Sequence, residues 1–277
     1  MEHIPLPTTV TIVAGDNERV ATVAIEPFFP GYGTTVGNSL RRVLLSSLPG
    51  AAITSFNVKG VQHEFSALPG IKEDFVEIAL NLKQVRLKVH SAEPVRLKLA
   101  AHGEMKVTAG DITGTSEAEV INKDLVIATL TDKSASLEIE VIAKQGRGYE
   151  PTEAREKEEL EVGMIALDAL FSPVRKVGFQ IESVRVGQMT NWDKLVLQIE
   201  TDGTISPKDA LLESGKYLIE HFTFVVDKVG EAALQETEAA AETKTAEEPV
   251  AEATEGSEGA AADGEPKKPK KKSKKSE

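Results

Sequence analysis

The residues of this chain with the strongest chemical character are arginines and glycines rather than nucleophiles. Gly31, Gly33 and Gly37 lie in PGYGTTVGN. Their spacing is G-x-G-x-x-x-G, not the dinucleotide fingerprint G-x-G-x-x-G, and no Lys-Ser/Thr pair follows as a phosphate loop requires. They are expected to let the chain turn tightly into a helix. QGRGYEP, residues 145–151, resembles a phosphate-holding turn with Arg147 between two glycines. His3, His63, His90, His102 and His221 are scattered, and His63-Glu64 lacks the second histidine of a zincin helix. No Ser or Asp occupies a nucleophile motif, and no Asp-x-Asp-x-Asp run suggests a catalytic Mg²⁺. Cysteine is absent, which excludes disulfides and thiolate metal sites and fits a reducing compartment. No catalytic residue, metal ligand or cofactor is assigned.

The segment TVGNSLRRVLLSSLPG poses a different kind of question. Residues 35–48 read as a helix stopped by Pro49-Gly50. On a wheel of about 100° per residue, Val36, Leu40, Val43, Leu44 and Leu48 form one apolar stripe, with Ser47 among them. Asn38, Arg41, Arg42 and Leu45 fall roughly opposite. A Leu between two guanidinium groups has the composition of an interface anchor, because Arg pairs carboxylates bidentately and its stem packs on apolar neighbours. The pattern alone also fits a solvated helix face.

A second helix is expected over about 71–83, IKEDFVEIALNLK, with Glu73 and Asp74 in its first turn, where the macrodipole favours them. A third is expected over about 207–229, with Ser206 suited to the N-cap and Pro207 to the first helical position. Its Leu211, Leu218, Phe222, Val225 and Val229 keep heptad-compatible spacing. Leu212, Ile219, Phe224 and Val226 lie outside that seam. A helix apolar on more than one face packs on its own sheet and on something else, or is enclosed within one monomer. A symmetric copy is the commonest second partner.

Strand signals dominate between these helices. TTVTIVAG and RVATVAIEPF alternate around Gly15-Asp16-Asn17, a hairpin signature. ITSFNVKGVQHEF reads as strand-turn-strand. QVRLKVH and PVRLKLAA alternate apolar and basic residues at period two, so each has one buried and one wet face. DLVIATL, SLEIEVIAKQ, VGFQIESVRVGQ and DKLVLQIETDG continue the pattern. Strands with a few interspersed helices predict an α+β fold.

The 277 residues carry a net charge of −12. Residues 231–277 hold eight Lys against twelve acids, a net −4, which leaves −8 on the body, a poor autonomous nucleic-acid binder. Within that end, residues 231–265 carry eleven acids and one Lys, and residues 267–275 carry seven Lys and no acid. With Leu234 and Val250 as its only large aliphatics, it cannot bury enough surface to offset its ordering entropy and is expected to be disordered. The Lys run could contact nucleic-acid phosphates nonspecifically, pair with the acidic stretch, or simply solvate the end. No apolar run of about 20 residues predicts a membrane span. MEHIPLPTTV shows no secretory signal, so a cytoplasmic location is expected.

The blocks TVGNSLRRVLLSSLPG, VKGVQHEFSALPGIKEDFVEIALNLK, QGRGYEP, LDALFSPVRKVGFQIE and DKLVLQIETDGTISPKDAL, in this order, closely resemble the α-subunit family of bacterial RNA polymerase. The resemblance spans residues 1–229. It implies a discontinuous dimerisation domain, residues 1–49 and 174–229, with two long helices on an antiparallel sheet. An inserted, mostly β domain would occupy residues 50–173, and residues 230–277 would form the disordered tail. It implies a non-catalytic homodimer on which the large subunits β and β′ assemble, alongside ω and σ, with DNA met only through the assembled enzyme. Carried over by residue, Arg42, Leu45 and Lys83 would contact β. Ser172, Pro173, Val174, Arg185 and Lys194 would contact β′. Val36, Leu40, Val43, Leu44, Leu211, Leu218, Phe222 and Val225 would form the dimer interface. The family's helix-hairpin-helix domain, which binds upstream DNA and activators, has no counterpart after Gly230 in this sequence.

Overall fold

The computed structural model describes residues 4–15, 17–61, 68–114, 116–155, 161 and 163–244, with side chains described through residue 232. Asp16 of the expected turn and residues 62–65 of the second strand-turn-strand candidate lie outside the described residues, as does the Lys run. The chain begins with β1 (Thr9–Ala14), β2 (Val20–Phe28), α1 (Tyr32–Ser46), β3 (Pro49–Val58) and α2 (Phe75–Lys83). Short strands follow: β4 (Leu87–Val89), β5 (Val95–His102), β6 (Met105–Thr108), β7 (Ile112–Thr113), β8 (Ala118–Val120) and β9 (Val126–Leu130). Then come β10 (Ser136–Arg147), β11 (Tyr149–Glu150), β12 (Ile165–Ala166), β13 (Ala169–Leu170), β14 (Val174–Val186), β15 (Met189–Thr201) and α3 (Pro207–Lys244). The fold is α+β, and every strand pairing is antiparallel. The chain divides into two units, Met1–Val225 and Val226–Glu277.

Two main cores form within the first unit. One gathers Phe56, Phe75, Ile78, Leu82, Leu97, Leu99, Leu137 and Val141 around the sheet β12-β3-β10-β5-β7. The alternation read in PVRLKLAA is literal here: Val95, Leu97, Leu99 and Ala101 are buried while Arg96, Lys98, Ala100 and His102 are exposed. Asp74 caps α2 by accepting from the Glu77 amide at 2.7 Å. Glu73 lies before the helix instead of in its first turn, where it accepts from the Thr129 amide at 2.6 Å and hydroxyl at 2.9 Å and ties α2 to β9.

The other core lies on the sheet β1-β2-β15-β14, beneath α1 and the first turns of α3. α1 starts three residues earlier than the pattern predicts. Gly31, at φ 82°, turns the chain into it, and the carboxylate of Asp193, on β15, accepts from the Gly31 amide at 2.8 Å and the Gly33 amide at 3.3 Å. Gly33 and Gly37 do not make this turn. They sit inside the helix on its packed face, where a Cβ on Gly37 would lie 2.9 Å from both Leu195 and Phe179. Their missing side chains let the helix approach the sheet.

α3 begins as its capping residues predict, with the Ser206 hydroxyl accepting from the Asp209 amide at 3.1 Å. It does not end near residue 229. Residues 231–244, expected to be disordered, are helical. Their composition, EAALQETEAAAETK, is dominated by Ala and Glu, which favour a helix without any core to pack on. A scarcity of apolar groups does not by itself argue against a helix.

Candidate functional site

α1 presents Arg41 and Arg42 to solvent at its C-terminal half. The wheel misplaced two neighbours. Leu45 is half-buried and packs against the core with Leu40, Leu44 and Leu48, while Val43 is half-buried and stays outside that cluster. The packed face centres on Gly33, Gly37, Leu40 and Leu44, so it is rotated from the one drawn through large side chains alone. Glycines carried the contact, and a hydrophobicity wheel gives them no weight. Leu40 and Leu44 are enclosed by this chain itself, at 8% and 0% exposure. Val36 is half-buried against the same core.

Lys83, at the last turn of α2, forms an ion pair with Asp168 at 2.8 Å. Asp168 also accepts from the Thr152 amide at 3.1 Å. The Lys83 hydrogen bond, then that of the Thr152 amide, holds the Asp168 carboxyl below its ordinary value. The fold links this site to α1 through QGRGYEP. Gly148, at φ 66°, sits against the end of α1, where a Cβ would lie 3.5 Å from the Ser46 carbonyl. Tyr149 pairs with Leu170, two residues past Asp168, and both side chains are exposed. The exposed Tyr149–Leu170 pair thus adjoins in the chain both Gly148, at the end of α1, and Asp168, the partner of Lys83. Sequence reading missed that apolar pair, whose only sign is a Tyr following the glycine turn.

In QGRGYEP, a Cβ on Gly146 would lie 2.7 Å from the Phe171 ring. The Arg147 guanidinium lies 5.3 Å over the ring of Tyr217 on α3 and donates to its hydroxyl at 3.4 Å. The motif is a junction between sheet and helix.

Ser172, Pro173 and Val174 are buried: they carry the chain from β13 into β14, and the Ser172 hydroxyl donates to the Val174 carbonyl at 3.1 Å. Arg185 is exposed near the β14–β15 turn, donating from Nε to the Gly187 carbonyl at 2.8 Å. Lys194 pairs across the hairpin with Glu182 at 3.0 Å, and that hydrogen bond raises its pKa.

On α3, Leu211, Tyr217 and Leu218 pack against the core. From Ile219 onward every described side chain is exposed. Ile219, Phe222, Phe224 and Val225 are 67%, 60%, 63% and 54% exposed. Scattered exposed aliphatics are ordinary, but four large ones within seven residues mark a surface that expects a partner.

Among the described residues no group of three or more His, Asp or Glu could hold a metal ion, and no helix is long and apolar enough to cross a membrane.

Residues 53–172 match the family model described as the RNA polymerase Rpb3/RpoA insert domain. The chain is also 46% identical over 226 residues to the DNA-directed RNA polymerase subunit alpha of Symbiobacterium thermophilum, a span covering 82% of this chain and 71% of that protein. With a match of this length and identity, the chain belongs to the family of α subunits of bacterial DNA-directed RNA polymerase.

Proposed function

We propose that this chain is a non-catalytic homodimeric scaffold on which the β and β′ subunits assemble. Residues 1–49 and 174–229 form the dimerisation domain and residues 50–173 the insert. The observation that carries the reading is the bare apolar stretch from Ile219 to Val225, which no element of the first unit covers. Burying one such side chain fully is worth roughly 1.5–3 kcal/mol, so several together can hold a dimer.

Arg42 is the main β-directed group, with Leu45 as its core-packed support and Lys83 as a second contact. Arg185 and Lys194 carry the β′-directed surface on the β14–β15 hairpin. Val36 and Val43 remain available on α1 for a dimer partner, beside Leu211, Leu218, Phe222 and Val225 on α3. DNA is met through the assembled enzyme.

Co-purification with β and β′ tests this reading. The full chain is expected to run as a dimer by light scattering and to recover both large subunits. A Phe222→Ser/Val225→Ser variant should keep its circular dichroism spectrum but run as a monomer. A chain that is monomeric at tens of micromolar and recovers neither subunit would refute the scaffold.

A further inference from the structure

Three buried side-chain nitrogens find no hydrogen-bond partner among the described residues: Nε of Arg86, Nε of Arg155 and Nε1 of Trp192. Two of them have a plain account. The Arg155 guanidinium donates from its other nitrogens to the carbonyls of Thr54 and Leu167, and the Glu150 carboxylate lies 3.8 Å from its Nε. Trp192 carries no charge, and its ring meets Phe29 edge-on with centroids 6.1 Å apart. Arg86 differs from both. It is 9% exposed, and its guanidinium forms no hydrogen bond and no ion pair with any described residue. A buried cation without a partner is strongly unfavourable. The backbone holds it in place between the buried Val85 and Leu87: its amide donates to the Asn122 side chain at 2.8 Å, and its carbonyl accepts from the Ile121 amide at 2.9 Å.

The groups around Arg86 are unbalanced in charge. Val85 and Leu87 belong to the core around Phe56, and Val174 and Val177 to the core around Leu195, so Arg86 lies at the seam of the two. The turn after β15 closes this seam. There the Asp202 amide donates to the Pro173 carbonyl at 2.9 Å, and a Cβ on Gly203 would lie 3.5 Å from Ile121. Asp202 is the one carboxylate that favours the charged form of Arg86, but it is no ion-pair partner, and its Oδ1 already accepts from the Thr204 amide at 2.9 Å and hydroxyl at 2.6 Å. Arg175, exposed and next to Val174, acts on Arg86 as a second positive charge. Arg19 lies over the same turn, where a Cβ on Gly203 would come within 3.0 Å of its Nε. Burial, more than any neighbour, pulls the Arg86 pKa down; Asp202 opposes this and Arg175 adds to it. Three guanidinium groups thus share one carboxylate that is otherwise engaged.

We infer that this seam binds an oxyanion of the phosphate class, held by Arg86, with Arg175 beside it and Arg19 at the rim. A phosphoryl group supplies what Arg86 lacks: acceptor oxygens for its planar fork of donors, and negative charge to balance the excess of guanidinium. The small opening over Arg86 suits an ion or a terminal group rather than a folded surface. The same chemistry has two sources, a free phosphate ion or the terminal phosphate of a nucleotide. Bound between the two cores, beside the turn that leads into α3, the anion braces one core against the other. The inference is independent of the homodimer reading.

The test titrates the full chain, at one protein concentration and constant ionic strength in chloride, with inorganic phosphate and separately with adenosine monophosphate. The melting temperature and the phosphorus NMR line of the ligand are followed. A saturable rise in melting temperature is expected, because the anion binds the folded chain and not the unfolded one. Arg86→Gln and Arg175→Gln should each weaken binding about tenfold or more, as loss of one charge-assisted hydrogen bond does. Arg41→Gln, the same change of charge on α1, should leave binding as it is. Arg175 is exposed, so its variant keeps the test open if Arg86→Gln does not fold. A response to inorganic phosphate alone assigns the site to the free ion; a response to the nucleotide as well, or only to it, assigns it to a terminal phosphate. No saturable response to either, or a response that Arg86→Gln and Arg175→Gln leave at the wild-type level, overturns the inference.

Discussion

The two main cores of the first unit are closed to different degrees. Around Phe56, the inward residues of β3, β5 and β10 and of the inner face of α2 are enclosed by the chain, and Phe56 stacks on Phe75 with ring centroids 5.0 Å apart. Around Leu195, the sheet face runs out onto an uncovered β1, and α3 carries its apolar face past the sheet that packs its first turns. The first core is closed by its own chain, whereas the second leaves part of its apolar face uncovered.

The largest effect expected from this contrast is in the enclosed core. Phe56→Ala should cost about 3–5 kcal/mol, the range for deleting a buried aromatic, and the loss should not depend on protein concentration. The melting temperature of the wild-type chain, by contrast, should rise with concentration, because the other core gains stability from association. Thermal melts across a hundredfold concentration range check both statements. A concentration-independent wild type would dissolve the contrast.

A smaller effect is expected where the second core holds its own helix. Asp193 caps α1 from a strand 160 residues away, and Asp193→Ala should cost about 0.5–2 kcal/mol, as loss of an N-cap does. Asp193→Asn should recover most of it, since the amide oxygen still accepts. Chemical denaturation of the two variants separates capping from packing.

The smallest effect concerns the Lys83–Asp168 pair. The Asp168 carboxyl is held below its ordinary value, so its interaction with Lys83 stabilises the fold above the unfolded value of about 3.9 and is lost as pH falls through the lower folded value. Being partly solvated, the pair should contribute no more than about 1 kcal/mol. Stability measured against pH for Asp168→Asn should lack this acid-side component. An identical acid profile would show that the pair does not stabilise the fold.

Much of this was legible in the residues. Period-two alternation marked β5, β10 and the β14–β15 hairpin because their faces differ sharply in environment. Ser206 and Pro207 marked the start of α3 by their own chemistry. The surplus of apolar residues from Ile219 onward was legible as an excess, although not as exposure. What failed were inferences that needed partners distant in the chain. The packed face of α1 depends on Gly33 and Gly37 meeting Ile181, Leu195 and Phe179, so a wheel weighted by side-chain hydrophobicity rotated it and put Leu45 on the outside. The cap supplied by Asp193 and the approach of Tyr149 to Leu170 have no local signature. The burial of Ser172–Val174 follows from a strand junction that spacing does not reveal.

The central claim is that the surface which joins two copies and the surface which meets β fail separately. Arg42→Ala tests it most directly, because Arg42 is exposed while Leu45 is engaged with the core. The variant is co-expressed with β, and complexes are weighed by light scattering after size exclusion. The expected result is an intact α dimer that recovers little or no β. A monomeric variant that still binds β would contradict the account.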